Sequence, residues 1–406
     1  MTDQTNNAAP TNNGPLAGIR VLELGSLIAG PFASRMLGEF GAEVIKVETP
    51  GSGDPIRKWR VLHEGNSLWW AVQARNKKSI TLNLKTEDGL VVLRKLIESA
   101  DMLVENFRPG QLEKWGFSPE QLQAINPGLI VVRLSGYGQT GPYKDRPGFG
   151  AIAESVGGMR FLSGDTDRPP VRVGISIGDS LAGLHAVIGA LMALQHRHKT
   201  GKGQVVDVAL YESVFNMMES LLPEYDFAGV VRKRSGASLP GIVPSNTYSC
   251  GCGGFIVIGG NGDAIFKRLM MAIGRTDFAE SPDMASNDGR VRNTELIDNT
   301  IAQWCRERSI DLALDVLEKA DVPVSKIYSI EDIVRDPQFA ARGMIEEHAF
   351  GEGRTLKVPG IVPKLSDTPG QTRWLGPQLG EHNAQVLADL GYSAEEIQRM
   401  ADDGVL

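Results

Sequence analysis

One acidic side chain lies where the sequence leaves unusual room for chemistry. Asp179 follows Gly178 directly, and Gly174 and Gly183 lie on either side of this pair. Glycine carries no side chain, so a bulky substrate can approach the carboxylate closely. An ionised carboxylate in an open pocket can attack an acyl carbonyl and form a covalent intermediate. Aspartate is also a preferred N-cap, so the spacing leaves open that Asp179 only caps a helix.

An apolar pattern predicts the helix that would hold Asp179. The pattern ends in basic residues at 196–199 and a glycine at 201, as helix C-termini commonly do. We therefore expect Asp179 at the helix N-terminus, where backbone N–H groups favour an ionised carboxylate. The apolar residues at near-helical spacing are Leu181, Leu184, Ile188, Leu191 and Leu194.

The first 225 residues alternate between predicted strands and predicted helices. This alternation predicts an α/β fold with an open, Rossmann-like parallel sheet. Ligands of such sheets gather beyond the carboxyl ends of the strands. The segment after the first strand lacks the GxGxxG spacing, so a dinucleotide site is not predicted. The predicted strands are 19–24, 42–48, 79–84, 102–104, 129–134 and 204–210.

The remaining patterns divide the chain into four parts. Residues 1–14 are polar and predict a disordered tail, and 15–225 form the large Rossmann-like domain. A basic link, a hairpin pattern and three helical patterns predict a small inserted α+β domain at 226–330. We expect 331–406 to return to the large domain and close it, with a last helix beginning at Asn383.

Composition argues against several classes of function. The formal net charge of −7 lacks the basic field of a nucleic-acid binder. We find no HExxH pattern and no paired ligand spacing, so we expect no metal. No apolar run is judged long enough to span a bilayer. Cys250, Cys252 and Cys305 are too sparse for a disulfide framework, which favours reduced thiols and a cytoplasmic location.

Motifs in a fixed order carry a resemblance to a known family. The set resembles the family III CoA-transferases (CaiB/BaiF-like), which include formyl-CoA transferase and carnitine CoA-transferase, over roughly residues 15–400. The motifs are Leu16–Glu23, Ala29–Phe32, Gly41–Glu48, Gly51–Asp54, Arg75–Ser79, Val104–Phe107, Gly136–Pro142, Gly178–Asp179, Lys199–Gln204, Asp336–Gln338 and Leu379–His382.

The resemblance implies a role for Asp179. In that family the corresponding aspartate attacks an acyl-CoA thioester, and an anhydride and then an aspartyl-CoA thioester form on it. Coenzyme A is then a substrate carried by acyl-CoA, and no permanent cofactor is implied; the other substrate is a small carboxylic acid. Backbone N–H groups around Ala29 and Gly30 are candidate oxyanion donors. The resemblance also implies an interlocked, ring-like homodimer.

Coenzyme A contacts carry over from the family by position. Leu82 and Lys85 match positions near the nucleotide end, and Phe107 offers a ring beside the adenine. Lys114 is a candidate phosphate contact, for which a solvated surface charge is the alternative. The full set of expected contacts is Ile28, Ala29, Leu82, Lys85, Asn106, Phe107, Lys114, Arg75, Arg108 and Arg146.

Departures from the family pattern bear on the substrate. Ile28 stands where formyl-CoA transferase has glutamine, and residues 238–244 lack its run of glycines. We therefore expect a longer acid than oxalate, such as succinate, glutarate or a methyl-branched C5 acid, with succinyl-CoA as a plausible donor. An α-methylacyl-CoA racemase is a weaker alternative, because Phe149 and Gly150 supply no second base. A non-catalytic CoA-binding protein remains the third hypothesis.

Overall fold

The computed structural model describes residues 13–251 and 253–406. The predicted disordered tail therefore lies almost wholly outside the described residues, as does Cys252. The described chain forms two compact units. The larger unit comprises the residues up to Met159, Val173–Asp226 and Arg342–Leu406, and the smaller comprises Arg160–Arg172 and Phe227–Ala341. The smaller unit thus extends past the predicted boundary at 330, to Ala341. It also includes Arg160–Arg172, which the sequence predicts to be part of the large domain.

The strands of the described chain are short, as is usual for a twisted sheet. They are β1 Arg20–Glu23, β2 Glu43–Glu48, β3 Leu62–His63, β4 Asn66–Ser67, β5 Lys77–Thr81, β6 Met102–Glu105, β7 Ile130–Ser135, β8 Val205–Ala209, β9 Ser245–Ser249, β10 Phe255–Gly259, β11 Val324–Lys326, β12 Ile345–Ala349 and β13 Thr355–Pro359.

The helices of the described chain vary from single turns to one long element. They are α1 Ala29–Glu39, α2 Leu68–Gln73, α3 Glu87–Glu98, α4 Gln111–Lys114, α5 Pro119–Ile125, α6 Gly150–Val156, α7 Met159–Leu162, α8 Ile177–Thr200, α9 Leu210–Phe215, α10 Leu221–Ala228, α11 Asp263–Ala272, α12 Thr276–Ala279, α13 Asn287–Arg292, α14 Thr294–Arg306, α15 Ile310–Lys319, α16 Ile330–Arg335, α17 Pro337–Ala341, α18 Asn383–Asp389 and α19 Ala394–Asp402. Short 3₁₀ turns occur at Pro55–Lys58 and Pro282–Met284.

A parallel sheet organises the larger unit, which confirms the α/β prediction. Within the described residues its strand order is β5-β2-β1-β6-β7-β8, and every neighbouring pair is parallel. Side chains alternate between faces: Val21 packs toward α1 and α8, and Leu22 packs toward α3 and the C-terminal helices. The carboxyl ends of these strands meet at one edge, where the loops of interest lie.

The helix α8 begins as its sequence pattern predicts, with Asp179 in its first turn. Ser176 is the N-cap residue and Asp179 is the third residue of the helix, so Asp179 is not the cap. The apolar residues of the sequence pattern do not share one buried face: Leu184, Ile188 and Leu191 are 39–49% exposed, whereas Leu194 is buried. The buried face carries alanine, at 182, 186, 190 and 193. Small side chains let α8 approach α1 closely, since a Cβ on Gly183 would lie 2.7 Å from the ring of Phe32.

By length and mean hydropathy, α8 is apolar enough to cross a membrane, which corrects our expectation that no such run exists. Its best window has a mean hydropathy of 1.6, and 44% of that window is buried inside the protein. Core helices of water-soluble proteins pass the same test, so this feature alone is weak evidence for a membrane segment.

The smaller unit and the C-terminal residues each have their own packing. In the smaller unit, β9 and β10 form the predicted hairpin and pair antiparallel, with β11 on the far side of β10. Its core includes Ile256, Leu269 and Ile301. In the larger unit, α18 begins at Asn383 as predicted but is followed by a separate helix, α19. Both C-terminal helices contribute to the core on the α3 face of the sheet.

Candidate active site

The segment Gly25–Pro31, which joins β1 to α1, is held in place through its backbone. Lys46 Nζ donates to the carbonyl of Gly25 at 2.7 Å. Asn106 both accepts from the N–H of Ser26 and donates to its carbonyl, each at 2.8 Å. The N–H of Leu27, whose φ is 66°, donates to both carboxylate oxygens of Asp54 at 3.1 Å. These bonds hold the residue in a left-handed conformation that non-glycine residues seldom adopt.

A buried cluster of charges lies beneath the 25–31 segment. Glu23 accepts from Lys46 and from Lys77, each at 2.7 Å, and Lys46 also pairs with Asp54 at 2.9 Å. All four side chains are at most 3% exposed. Burial raises the pKa of Glu23, but the two lysines outweigh it and bring the pKa down to about 2. Burial lowers the pKa of Lys77 to about 8, although Glu23 opposes this shift.

A cavity of about 410 Å³ opens at the carboxyl ends of β1, β2 and β5. Leu82, Lys85 and Phe107 line it, so the structure brings these three predicted residues together. Trp115, which the sequence analysis did not identify, also lines the cavity and meets the ring of Phe107 edge-on at 5.2 Å. An apolar floor, two aromatic rings and a lysine suit a nucleotide whose base packs while its phosphates meet a cation.

The 25–31 segment links this cavity to Asp179. Gly25 and Ser26 line the cavity. At the other end of the segment, the carbonyl of Ala29 would lie 3.1 Å from a Cβ on Gly183. Gly183 is one helical turn beyond Asp179 on the same face of α8, so Asp179 lies near the N-terminus of α1.

The carboxylate of Asp179 rests directly against Gly150. A Cβ built on Gly150 would lie 2.0 Å from Asp179 Oδ2 and 2.7 Å from its Cγ, far inside any permitted contact. A Cβ on Gly178 would likewise lie 2.9 Å from the carbonyl of Gly150. Glycine at 150 is therefore required for the position that Asp179 occupies. In the sequence alone, Gly150 is distinguished only by the second base that it lacks.

The N-terminus of α1 offers backbone donors near Asp179. The N–H groups of Ala29 and Gly30 begin the helix, where no intrahelical acceptor exists. Among residues 13–251 and 253–406, no hydrogen bond from either group is seen. Ile28 and Ala29 are themselves buried. A carboxylate on α8 and open N–H groups at the start of the neighbouring α1 are the elements that acyl transfer needs: a nucleophile and donors for an oxyanion.

The predicted cationic residues lie in different environments. Arg108, Lys114 and Arg146 are exposed, and the guanidinium of Arg146 lies 3.5 Å from the ring centre of Tyr143. Arg75 is 2% exposed, and its Nε donates to Glu39 at 2.6 Å.

Arg75 precedes β5 and so lies at the amino edge of the parallel sheet, away from the cavity. We therefore no longer expect Arg75 to contact a phosphate. In the described part of the chain, no group of three or more His, Cys, Asp or Glu residues could hold a metal ion.

Comparison with known proteins identifies the family of this chain. The family model described as CoA-transferase family III matches residues 16–383. The chain is 48% identical to the succinyl-CoA–D-citramalate CoA-transferase of Chloroflexus aurantiacus, over 93% of this chain and 94% of that protein. It is 34% identical to the succinate–glutarate CoA-transferase of Agrobacterium fabrum, over 99% and 100%. A crystal structure of a CAIB/BAIF family protein from Brucella suis matches with a TM-score of 0.81 and 35% identity, over 93% and 100%. This chain therefore belongs to the family III CoA-transferases.

Proposed function

We propose that this enzyme moves coenzyme A from succinyl-CoA to a free dicarboxylic acid, with Asp179 as the nucleophile. The observation that carries the proposal is the position of the Asp179 carboxylate: it lies against Gly150, one helical turn before Gly183, whose Cβ would meet the Ala29 carbonyl at the start of α1. A carboxylate ionised at neutral pH needs no general base to attack a thioester, and thiolate is a good leaving group.

The exchange proceeds through covalent intermediates on Asp179. A carboxylate oxygen attacks the thioester carbonyl of the donor, the C–S bond breaks, and a mixed anhydride and CoA thiolate result. The thiolate then attacks the Asp179 carbonyl, which releases the donor acid and leaves an aspartyl-CoA thioester. The acceptor carboxylate displaces the thiolate to give a second anhydride. Attack of the thiolate on the acceptor carbonyl forms the new acyl-CoA and frees Asp179.

Each addition step places negative charge on an oxygen, which must be stabilised. The N–H groups of Ala29 and Gly30 are the donors that we assign to this oxygen. Donors held in place before the reaction need little reorganisation, and removing one such donor typically slows turnover by ~10²–10³-fold. The hydrogen bonds that fix the 25–31 segment supply this rigidity.

The choice of acids follows from the relatives and from Ile28. Both named relatives have succinate or succinyl-CoA in their names, with citramalate or glutarate as the other acid. The apolar side chain of Ile28, within the 25–31 segment, suits a carbon chain better than it suits oxalate. We assign the 410 Å³ cavity to the nucleotide end of coenzyme A, with the adenine beside Phe107 and Trp115 and with Lys85 near phosphate.

The racemase alternative has less support from the site. Two-base proton transfer at an α-carbon needs a second base opposite Asp179. Gly150 touches the Asp179 carboxylate and carries no side chain that could serve as this base.

We further propose a homodimer in which α8 meets a second copy. The outward residues Leu184, Ile188 and Leu191 give this helix an apolar stripe at 39–49% exposure in the single chain.

Substitution of Asp179 tests the proposed function. Purified enzyme is incubated with succinyl-CoA and a panel of acceptor acids, and new acyl-CoA is measured by mass spectrometry. Asp179→Asn keeps the size of the side chain but removes the nucleophile, so we expect exchange to fall by at least ~10³-fold. Thermal unfolding and CoA binding should remain close to wild type. An Asn variant that keeps most of its activity would show that the carboxylate does not attack the thioester.

A further inference from the structure

The side chain of Gln73 bonds to the backbone of the candidate oxyanion segment. Gln73 is the last residue of α2 and is only 2% exposed. Its Nε2 donates to the carbonyl oxygen of Ile28 at 3.0 Å. Gln73 does not line the nucleotide cavity. It belongs to none of the family motifs, and the proposed reaction gives it no role.

The peptide that Gln73 holds is the one that carries the N–H of Ala29. A trans peptide is planar, so its C=O and its N–H point in opposite directions. The Ile28 carbonyl also accepts the first helical bond of α1, from Phe32 N at 2.7 Å. With the carbonyl fixed toward α1 and Gln73, the N–H of Ala29 must point out of the helix N-terminus, toward the substrate side.

This peptide needs such a hold because the backbone before it is strained. Leu27 has a φ of 66°, in the left-handed region that residues other than glycine seldom adopt. Asp54 accepts a hydrogen bond from Leu27 N–H, and Asn106 accepts one from Ser26 N–H. Both bonds therefore hold residues that precede Ile28. Gln73 provides the side-chain bond on the peptide that follows.

We propose that Gln73 is a positioning residue for acyl transfer, which orients the Ile28–Ala29 peptide so that the Ala29 N–H meets the oxyanion. This inference rests on the proposed function and deepens it. It assigns to α2, an element outside the substrate cavity, control over the rate of the covalent step. It does not assign Gln73 a part in binding coenzyme A.

Replacement of Gln73 by methionine tests the inference. Gln73→Met keeps the length of the side chain but removes the donor. We expect kcat to fall by ~10–100-fold, because one oxyanion donor loses its alignment. The KM for succinyl-CoA should change by less than about threefold, since the nucleotide cavity is untouched. The rate at which the Asp179 peptide acquires coenzyme A, measured by rapid quench, should fall in the same ratio as kcat.

Asn126 provides a matched control. Its side-chain amide also donates to backbone carbonyls, of Ala100 at 2.8 Å and Ile97 at 3.2 Å, but it precedes β7 at the amino edge of the sheet. Asn126→Leu should lower thermal stability by at least as much as Gln73→Met while leaving kcat within about twofold of wild type. If both variants lose activity in proportion to stability, Gln73 is merely structural and the inference fails.

The variant Gln73→Glu adds a pH dependence of kcat that we would not expect if Gln73 only filled space. In Gln73→Glu the introduced carboxyl can donate to the Ile28 carbonyl only when it is protonated. The ratio of its kcat to the wild-type kcat should therefore rise as pH falls, and a ratio independent of pH would overturn the inference. If wild type forms no adduct on Asp179, the proposed function and this inference fail together. If wild type forms the adduct and Gln73→Met forms it equally fast, only the inference fails.

Discussion

Replacement of Gly150 by alanine should displace the nucleophile without altering the substrate cavity. The new Cβ would lie 2.0 Å from Asp179 Oδ2, whereas ordinary contacts begin at 3.4 Å. The carboxylate must therefore retreat by more than 1 Å. Misplacement of a reacting group by about 1 Å costs on the order of 10²-fold in rate. This corresponds to roughly 2.7 kcal/mol of lost transition-state stabilisation.

The assay for this variant separates chemistry from binding and folding. Steady-state exchange with succinyl-CoA should show kcat reduced by ~10²-fold or more, with the KM for succinyl-CoA changed by less than about threefold. Gly150 has a φ that alanine can adopt and begins α6, so the thermal midpoint should change little.

Gly174→Ala is the matched control, because no described atom lies within 4 Å of a Cβ there. A Gly150→Ala enzyme with kcat within threefold of wild type would refute the reasoning. It would show that the carboxylate reacts from some other position.

Two further predictions concern the buried charges and the exposed face of α8. Glu23 has a folded pKa of about 2 against an ordinary 4.5, so its stabilising contribution is complete above pH 4.5 and is lost as pH falls toward 2. The free energy of unfolding of wild type relative to Glu23→Gln, from urea titrations, should fall by up to about 3 kcal/mol across that window; a constant difference would contradict the assignment. Leu191→Glu should shift the protein toward monomer in sedimentation velocity, whereas Val91→Glu on α3 should not, although Val91 is 52% exposed against 42% for Leu191. A wild-type protein that is already monomeric at micromolar concentration would contradict the dimer.

Sequence periodicity was sufficient to predict most strands of the sheet, but it was not sufficient to identify the buried face of α8. The strands β1, β2, β6 and β7 are rich in valine, isoleucine and leucine, and they appear within a residue or two of their predicted bounds. The more polar β5, Lys77–Thr81, begins two residues before the predicted strand at 79–84 and ends three residues before its end. In α8 the apolar pattern predicted the helix but did not identify its buried face. Leucines dominate a hydrophobicity pattern, yet the buried face carries alanine and glycine, because the helix packs closely against α1. Periodicity shows that a face is apolar but does not show what covers it.

The candidate site was only partly predictable for a related reason. Leu82, Lys85 and Phe107 follow the carboxyl ends of β5 and β6, where ligands of parallel sheets are expected, and they line one cavity. Arg75 belongs to a neighbouring motif but lies before β5, at the opposite edge.

Leu27 donates to Asp54, which is 27 positions away along the chain, and Gln73 donates to Ile28, which is 45 positions away. No local pattern predicts such pairings, because they depend on how helices and loops pack on the sheet.

Covalent trapping on Asp179 tests the central claim most directly. Wild-type enzyme is mixed with succinyl-CoA without an acceptor acid, quenched in acid within milliseconds to seconds, digested and analysed by mass spectrometry. We predict that the peptide containing Asp179 carries coenzyme A through a thioester and that hydroxylamine converts this adduct to a hydroxamate. Asp179→Asn should give no adduct. An enzyme that exchanges coenzyme A at full rate while this peptide remains unmodified would contradict the account.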